Sequence, residues 1–204
     1  MTSEPQVDLD ELRRAAMAMI HDLRTGDAVP GVPIGERAPD FVLPDANGGK
    51  VALRDRLAAG PVVVSFYRGA WCPYCNTELR ALQGALDDIT ARGTSLVAIS
   101  PQAPDASLPL VEQLELGFDV LSDLDQTVSR AYSLQFELAP ALRATYPKLG
   151  MDLTQHNADG SWHLPVPATF VLDTDGIVRA RHVDPNYLER MPVDDILTAL
   201  DGIT

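Results

Sequence analysis

VVVSFYRGAWCPYCNTELRAL, residues 62–82, is the stretch that decides the fold. Residues 62–67 are a continuous apolar run rich in β-branched side chains, the pattern of a strand buried on both faces. A helix is expected after the cysteines, running to about residue 91. Leu79, Leu82, Leu86 and Ile89 share one face, and Gly93 closes it. Between strand and helix stand Cys72 and Cys75, the two cysteines of the chain. Pro73 suits an early helical position, where its missing N–H costs nothing. A thiolate there faces backbone N–H groups without partners and the positive end of the helix dipole, and both lower a thiol pKa. The i, i+3 spacing lets one sulfur attack the other, so a disulfide can form and reopen without rearranging the fold.

Working outward, residues 8–24 place Leu9, Leu12, Ala16, Met19, Ile20 and Leu23 at helical spacing. That apolar stripe must pack on its own domain or on a second copy in a homodimer. A Pro/Gly-rich linker at 28–39 follows, so residues 1–33 read as a helical arm and linker, and 34–204 as one domain. A hairpin is expected over 40–53, a buried strand at 95–100, a helix near 108–116 and a short strand at 119–122. A helix follows within 123–134, with Asp125 as its N-cap. A hairpin at 168–183 and a closing amphipathic helix at 193–200 complete the pattern. Strand–helix–strand connections of this length give parallel neighbours, and the late hairpin adds antiparallel ones. The expected fold is α/β, a mixed sheet with helices on both faces.

The chain has 204 residues, 46% of them hydrophobic, ample for one core. Sixteen basic against 29 acidic residues leave a net charge of −13, which argues against a nucleic-acid backbone or an anionic membrane as partner. The longest apolar run is too short to span a bilayer, and the acidic opening MTSEPQVDLDEL does not read as a secretion signal. A cytoplasmic location is therefore expected, and a close cysteine pair in a reducing compartment is more often catalytic or metal-binding than a staple. His21, His156, His163 and His182 lack the spacing to complete a zinc site, so no metal is expected. No flavin, nicotinamide or haem motif is visible, so no cofactor is implied.

FYRGAWCPYCNTELRAL resembles the active-site segment of the peroxiredoxin family (alkyl hydroperoxide reductase/thiol-specific antioxidant), which lies within the thioredoxin fold. IGERAPDFVLPDANGGKVALRD resembles that family's N-terminal hairpin, VLSDLDQTVSRAYSL its "SD…AY" segment, and ATFVLDTDGIVR its late hairpin. Together they span residues 34–183 in the right order. The resemblance implies a thioredoxin-like fold and a thiol-dependent peroxidase acting on hydrogen peroxide or organic hydroperoxides. A cysteine sulfenic acid forms, a Cys72–Cys75 disulfide follows, and a thioredoxin-like dithiol protein reduces it. The alternative is a thiol–disulfide oxidoreductase acting on protein disulfides.

The family register puts Cys75 at the peroxidatic position, Glu78 on its downstream Glu and Cys72 on its Thr. The thioredoxin pattern makes the first cysteine, Cys72, the nucleophile, and helix geometry agrees. The register, supported by more residues, carries more weight and requires Cys75 to be reachable by solvent with a donor such as Arg68 nearby. Two positions depart from the family: its proline is Arg68 here, and its later arginine is Pro167. Arg68 is then the expected cation beside the thiolate. Trp71 and Tyr74 are expected to shape the pocket, and Glu78 to orient backbone or bond Arg68. Pro167 resembles the thioredoxin cis-proline that faces the CxxC, which predicts a cis Val166–Pro167 bond and puts Trp162 and His163 at the rim.

Overall fold

The computed structural model describes residues 8–26 and 28–203. The chain opens with α1 (Leu9–Thr25), whose first turn is capped by the Asp8 carboxylate accepting from the N–H groups of Asp10 and Glu11. A hairpin of β1 (Val42–Pro44) and β2 (Lys50–Ala52) and the short α2 (Leu53–Leu57) lead into β3 (Val62–Phe66). Next come α3 (Pro73–Gly84), α4 (Leu86–Thr90), β4 (Ser95–Ser100), α5 (Pro104–Leu114), β5 (Asp119–Ser122) and α6 (Thr127–Ala131). An inserted stretch holds β6 (Gln135–Glu137), α7 (Pro140–Thr145) with a 3-10 turn after it, α8 (Leu153–His156) and β7 (His163–Pro165). The chain finishes with β8 (Ala168–Leu172), β9 (Val178–Val183) and α9 (Val193–Asp201).

The main sheet has the order β5-β4-β3-β8-β9. β3 pairs parallel with β4 and antiparallel with β8, so the run read as a buried strand is the middle of a mixed sheet. Its alternation sorts the two cores. Val62, Val64 and Phe66 face the hairpin and α6, where Phe66, Tyr132 and Phe170 form an aromatic trio with centroids 4.9–6.1 Å apart. Val63 faces Leu82 and Ile89 and the closing helix residues Ile196 and Leu200, while Tyr67 packs with Cys72, Cys75 and Leu79. The fold is thioredoxin-like, with helices on both faces as expected.

Several local expectations need correction. The helix after the cysteines is two helices: Gly84 ends α3, and Ala85 adopts φ −101°, ψ 2° before α4 begins. The apolar stripe carries across the break, because Leu82, Ala85 and Ile89 share one core cluster. Asp125 is not the N-cap of α6. Gln126 holds that position, the Asp125 carboxylate accepts from Thr127, and buried Asp123 takes the N–H groups of Val128 and Ser129. Among the described residues no peptide bond is cis, so Val166–Pro167 is trans. The reason is local: the Val166 N–H bonds the Leu134 carbonyl at 2.8 Å and Ala168 already pairs with Phe66. The chain therefore runs extended between β7 and β8, and the trans form is the intrinsically preferred one.

Residues 135–165 close on themselves through the β6–β7 pair, which periodicity did not reveal. Ala16 and Met19 of α1 pack against Leu138, Leu142, Tyr146 and Leu153 of that insertion. The middle of the stripe on α1 is thus covered by its own chain, while Leu9 at its start stays exposed. The linker is pinned to β9, with Arg181 donating to the carbonyls of Pro30 and Val32.

Candidate active site

The loop from Arg68 to Trp71 joins β3 to α3 and sets the cysteine geometry. Gly69 has φ +141°, a conformation that side chains resist, and an added Cβ would lie 2.5 Å from Nε1 of Trp71. The loop is held by the Gln102 side chain accepting from the Ala70 N–H, and by Asn76 donating to the Ala70 carbonyl at 3.0 Å. Cys72 is the N-cap of α3, with Pro73 and Tyr74 opening the helix and Cys75 at the end of that first turn.

Both sulfurs are free thiols and both are fully buried. Their surroundings differ. Nη2 of Arg68 lies 3.0 Å from the Cys72 sulfur. The Cys72 pKa falls to about 5, chiefly because the Cys75 thiol donates a hydrogen bond to it; burial opposes this, and the charge of Arg68 and the Cys75 N–H add to the lowering. Cys75 moves the other way. Burial raises its pKa, and so do its bond to Cys72 and the negative charge there. The requirement that Cys75 be open to solvent with Arg68 beside it is therefore not met: Cys75 is enclosed, and the guanidinium rests on Cys72.

Arg68 is only 5% exposed. Its guanidinium sits between two aromatic faces, 4.2 Å from the Tyr187 ring centroid and 5.2 Å from that of Trp71. Trp71 in turn stacks on His156 at 5.9 Å, and Tyr74 meets Tyr187 at 5.7 Å. Arg68, Trp71 and Tyr74 line one cavity. Glu78 does not bond Arg68. Its carboxylate accepts from Arg190, whose Nη2 also lies 3.6 Å from the Cys75 sulfur. Burial raises the Glu78 pKa to about 7 against the opposing pull of Arg190. Pro167 is buried but is not part of the cavity lining, and neither are Trp162 and His163. His163 is committed to β7, and the histidine at the site is His156.

Three residues here escaped the sequence reading: Tyr146, Tyr187 and Arg190. Tyr146, from the insertion, lines the same cavity as Arg68. Tyr187 and Arg190 come from the stretch between β9 and α9, which has no periodicity to betray it. The one available signal was chemical, an aromatic and an arginine in a short irregular segment of an acidic chain.

The AhpC/TSA family matches residues 34–181, from the linker to β9. The chain belongs to the AhpC/TSA family. It is a thiol-dependent peroxidase of the peroxiredoxin type, an oxidoreductase. Protein Rv2521 of Mycobacterium tuberculosis, which bears a peroxiredoxin name, is 32% identical over 142 residues, covering 70% of this chain and 79% of its own. Peroxiredoxin Bcp of Escherichia coli is 32% identical over 100 residues, covering 49% of this chain and 64% of its own. In fold, the chain is similar to the crystal structure of peroxidoxin BcpB from Mycobacterium tuberculosis, with a TM-score of 0.66 at 24% identity, covering 84% of this chain and 97% of that one. Within this AhpC/TSA chain, α1 and the stretch carrying Tyr187 and Arg190 lie outside the matched residues, although both reach the cysteine site.

Proposed function

We propose that Cys72 is the thiolate that attacks the peroxide and that Cys75 resolves it, the reverse of the family register. The observation that carries this is the Arg68 guanidinium 3.0 Å from the Cys72 sulfur, beside a thiol whose pKa falls to about 5. The Cys72 sulfur attacks the terminal oxygen of the hydroperoxide. The O–O bond breaks, its electron pair leaves on the departing alkoxide or hydroxide, and that oxygen takes a proton. Arg68 stabilises the charge as it develops. Cys72 is left as sulfenic acid. The Cys75 thiol then attacks that sulfur, an S–S bond forms and water leaves.

A thioredoxin-like dithiol protein then reduces the disulfide by exchange, becoming oxidised itself. Both thiols are covered, so a peroxide reaches Cys72 when an aromatic face beside Arg68, Trp71 or Tyr187, gives way. Hydrogen peroxide and organic hydroperoxides both satisfy this chemistry. Cytoplasmic conditions suit a cycle that starts from two free thiols. Among the described residues no helix is long and apolar enough to cross a membrane.

The test is sulfenic-acid trapping with dimedone after one equivalent of peroxide. Cys75→Ser should trap on Cys72 at close to the wild-type rate of thiol loss, and Cys72→Ser should be inert. The opposite pattern restores the family register. The low pKa of the first cysteine also fits exchange with protein disulfides. Insulin reduction that outpaces peroxide consumption would make that the principal activity.

A further inference from the structure

Breaking the O–O bond leaves negative charge on the departing oxygen, and a hydroxide or alkoxide departs poorly until a proton reaches it. Attack in line with that bond puts the departing oxygen on the far side from the Cys72 sulfur, in the cavity of about 340 Å³ lined by Arg68 and Trp71. The proton donor must therefore stand in the cavity wall. The Cys75 thiol does not qualify, because its hydrogen bond is spent on the Cys72 sulfur itself. Glu78 is held by Arg190 beside Cys75, His156 stacks on the Trp71 ring, and neither is part of the lining.

The wall is nearly free of groups that release a proton. Among the described residues no histidine, aspartate, glutamate or lysine lines it, and the loop from Arg68 to Asn76 contains no serine or threonine. Arg13 and Arg68 keep their protons, and the Trp71 indole donates a hydrogen bond but does not ionise. What remains is phenolic: Tyr74, Tyr146 and Tyr187. Tyr74 stands at the rim, 49% exposed and tilted against Tyr187. Tyr187 gives its ring face to the Arg68 guanidinium, which leaves its hydroxyl at the ring edge, turned off the cation. Tyr146 differs from both. It opens the 3-10 turn Tyr146–Leu149, is 6% exposed, and packs in one cluster with Met19 of α1 and Trp71. Burial holds its phenol above the ordinary value, the charge of Arg68 pulls it back, and the charges of Tyr187 and Cys72 push it up again. It is thus a protonated hydroxyl within electrostatic reach of both the guanidinium and the attacking sulfur.

We propose that Tyr146 is the general acid of peroxide cleavage, a catalytic residue supplied by the inserted stretch. As the Cys72 thiolate takes the terminal oxygen, the O–O electron pair moves onto the departing oxygen. The Tyr146 O–H bond breaks and its proton goes to that oxygen, so water or an alcohol leaves. Cys72 is then a sulfenic acid, and the Tyr146 phenolate sits beside the Arg68 charge until a proton from solvent restores it. The assignment rests on Cys72 as the attacking thiol.

Tyr146→Phe tests this on the full chain, since it keeps the ring and its packing and removes only the hydroxyl. In stopped-flow reaction of the reduced protein with hydrogen peroxide, the rate constant for loss of the Cys72 thiol should fall about a hundredfold, the lower end of what a general acid contributes, because Arg68 remains. The thiolate midpoint at 240 nm should move by less than about half a unit, so the loss is not one of thiolate population. Peracetic acid separates a proton donor from a packing residue. Its leaving group is acetate, a weak base that departs without a proton, so the deficit of Tyr146→Phe should shrink to about twofold or less with this oxidant.

A Tyr146→Phe rate within about threefold of wild type for hydrogen peroxide, with dimedone still trapped on Cys72, overturns the proposal and leaves the Cys72 reading standing. An equal deficit with hydrogen peroxide and peracetic acid, or a thiolate midpoint displaced by about a full unit, makes Tyr146 a packing residue and overturns it as well. If Tyr187→Phe carries the hydrogen peroxide deficit in place of Tyr146→Phe, the proton comes from the other phenol and the assignment falls. Sulfenic acid that still forms at the wild-type rate in Cys72→Ser removes the attacking thiol, and both readings fall together.

Discussion

Replacing Arg68 with Gln removes the charge 3.0 Å from the Cys72 sulfur and keeps a planar, hydrogen-bonding side chain. Two unit charges at that separation interact by about 1.4 kcal/mol in a water-like medium and about 5.5 kcal/mol at an effective dielectric constant of 20. Those limits correspond to about 1 and 4 pKa units. The pair is buried but has aromatic rather than charged neighbours, so a rise of about 2 units is the central expectation, from about 5 to about 7. The assay is thiolate absorbance at 240 nm against pH on reduced protein. A single-pH alkylation rate would mislead, because a thiolate of higher pKa is intrinsically more nucleophilic and partly offsets its lower population. Arg68→Lys should shift less, since it keeps the charge but loses the fork. If the midpoint moves by less than about half a unit in Arg68→Gln while Cys75→Ala moves it fully, the hydrogen bond from Cys75 alone sets the acidity. The electrostatic argument for Arg68 would then be wrong.

The raised Glu78 pKa means that the fold favours the neutral acid. Its stabilising contribution is complete below the unfolded value of about 4.3 and is lost as pH rises through about 7. The difference between the wild-type and Glu78→Gln urea midpoints should follow that window, with the variant gaining relative stability as pH rises; a difference independent of pH contradicts it. Gly69→Ala should destabilise by about 1–3 kcal/mol, because it combines an unfavourable φ with a Cβ pressed on Trp71. Chemical denaturation measures this, and a red-shifted tryptophan emission would report Trp71 displaced.

The sheet was legible because β3 states its place directly: Val62, Val63 and Val64 are β-branched and apolar without alternation, which only a strand covered on both faces tolerates. The cysteine–proline start of α3 was equally plain. Which thiol is acidic was not legible, because it depends on where a guanidinium lies and not on register. Arg68 precedes Cys72 by four residues, but the turn at Gly69 is what folds it back onto that sulfur. Glu78 was visible, whereas its partner Arg190 sits in irregular chain, where no period announces a contact. The trans bond before Pro167 shows the limit of resemblance, since the backbone pairing of Val166 and Ala168 decides that bond locally.

The partnership between Arg190 and Glu78 spans 112 residues of chain. During synthesis at about 5–20 residues per second, the arginine follows the glutamate by roughly 6–22 s. For that interval both cysteines have been made, but neither Tyr187 nor Arg190 exists to cover them. The thiols thus meet their most exposed moment on the ribosome, before the residues that shelter and tune them have been added.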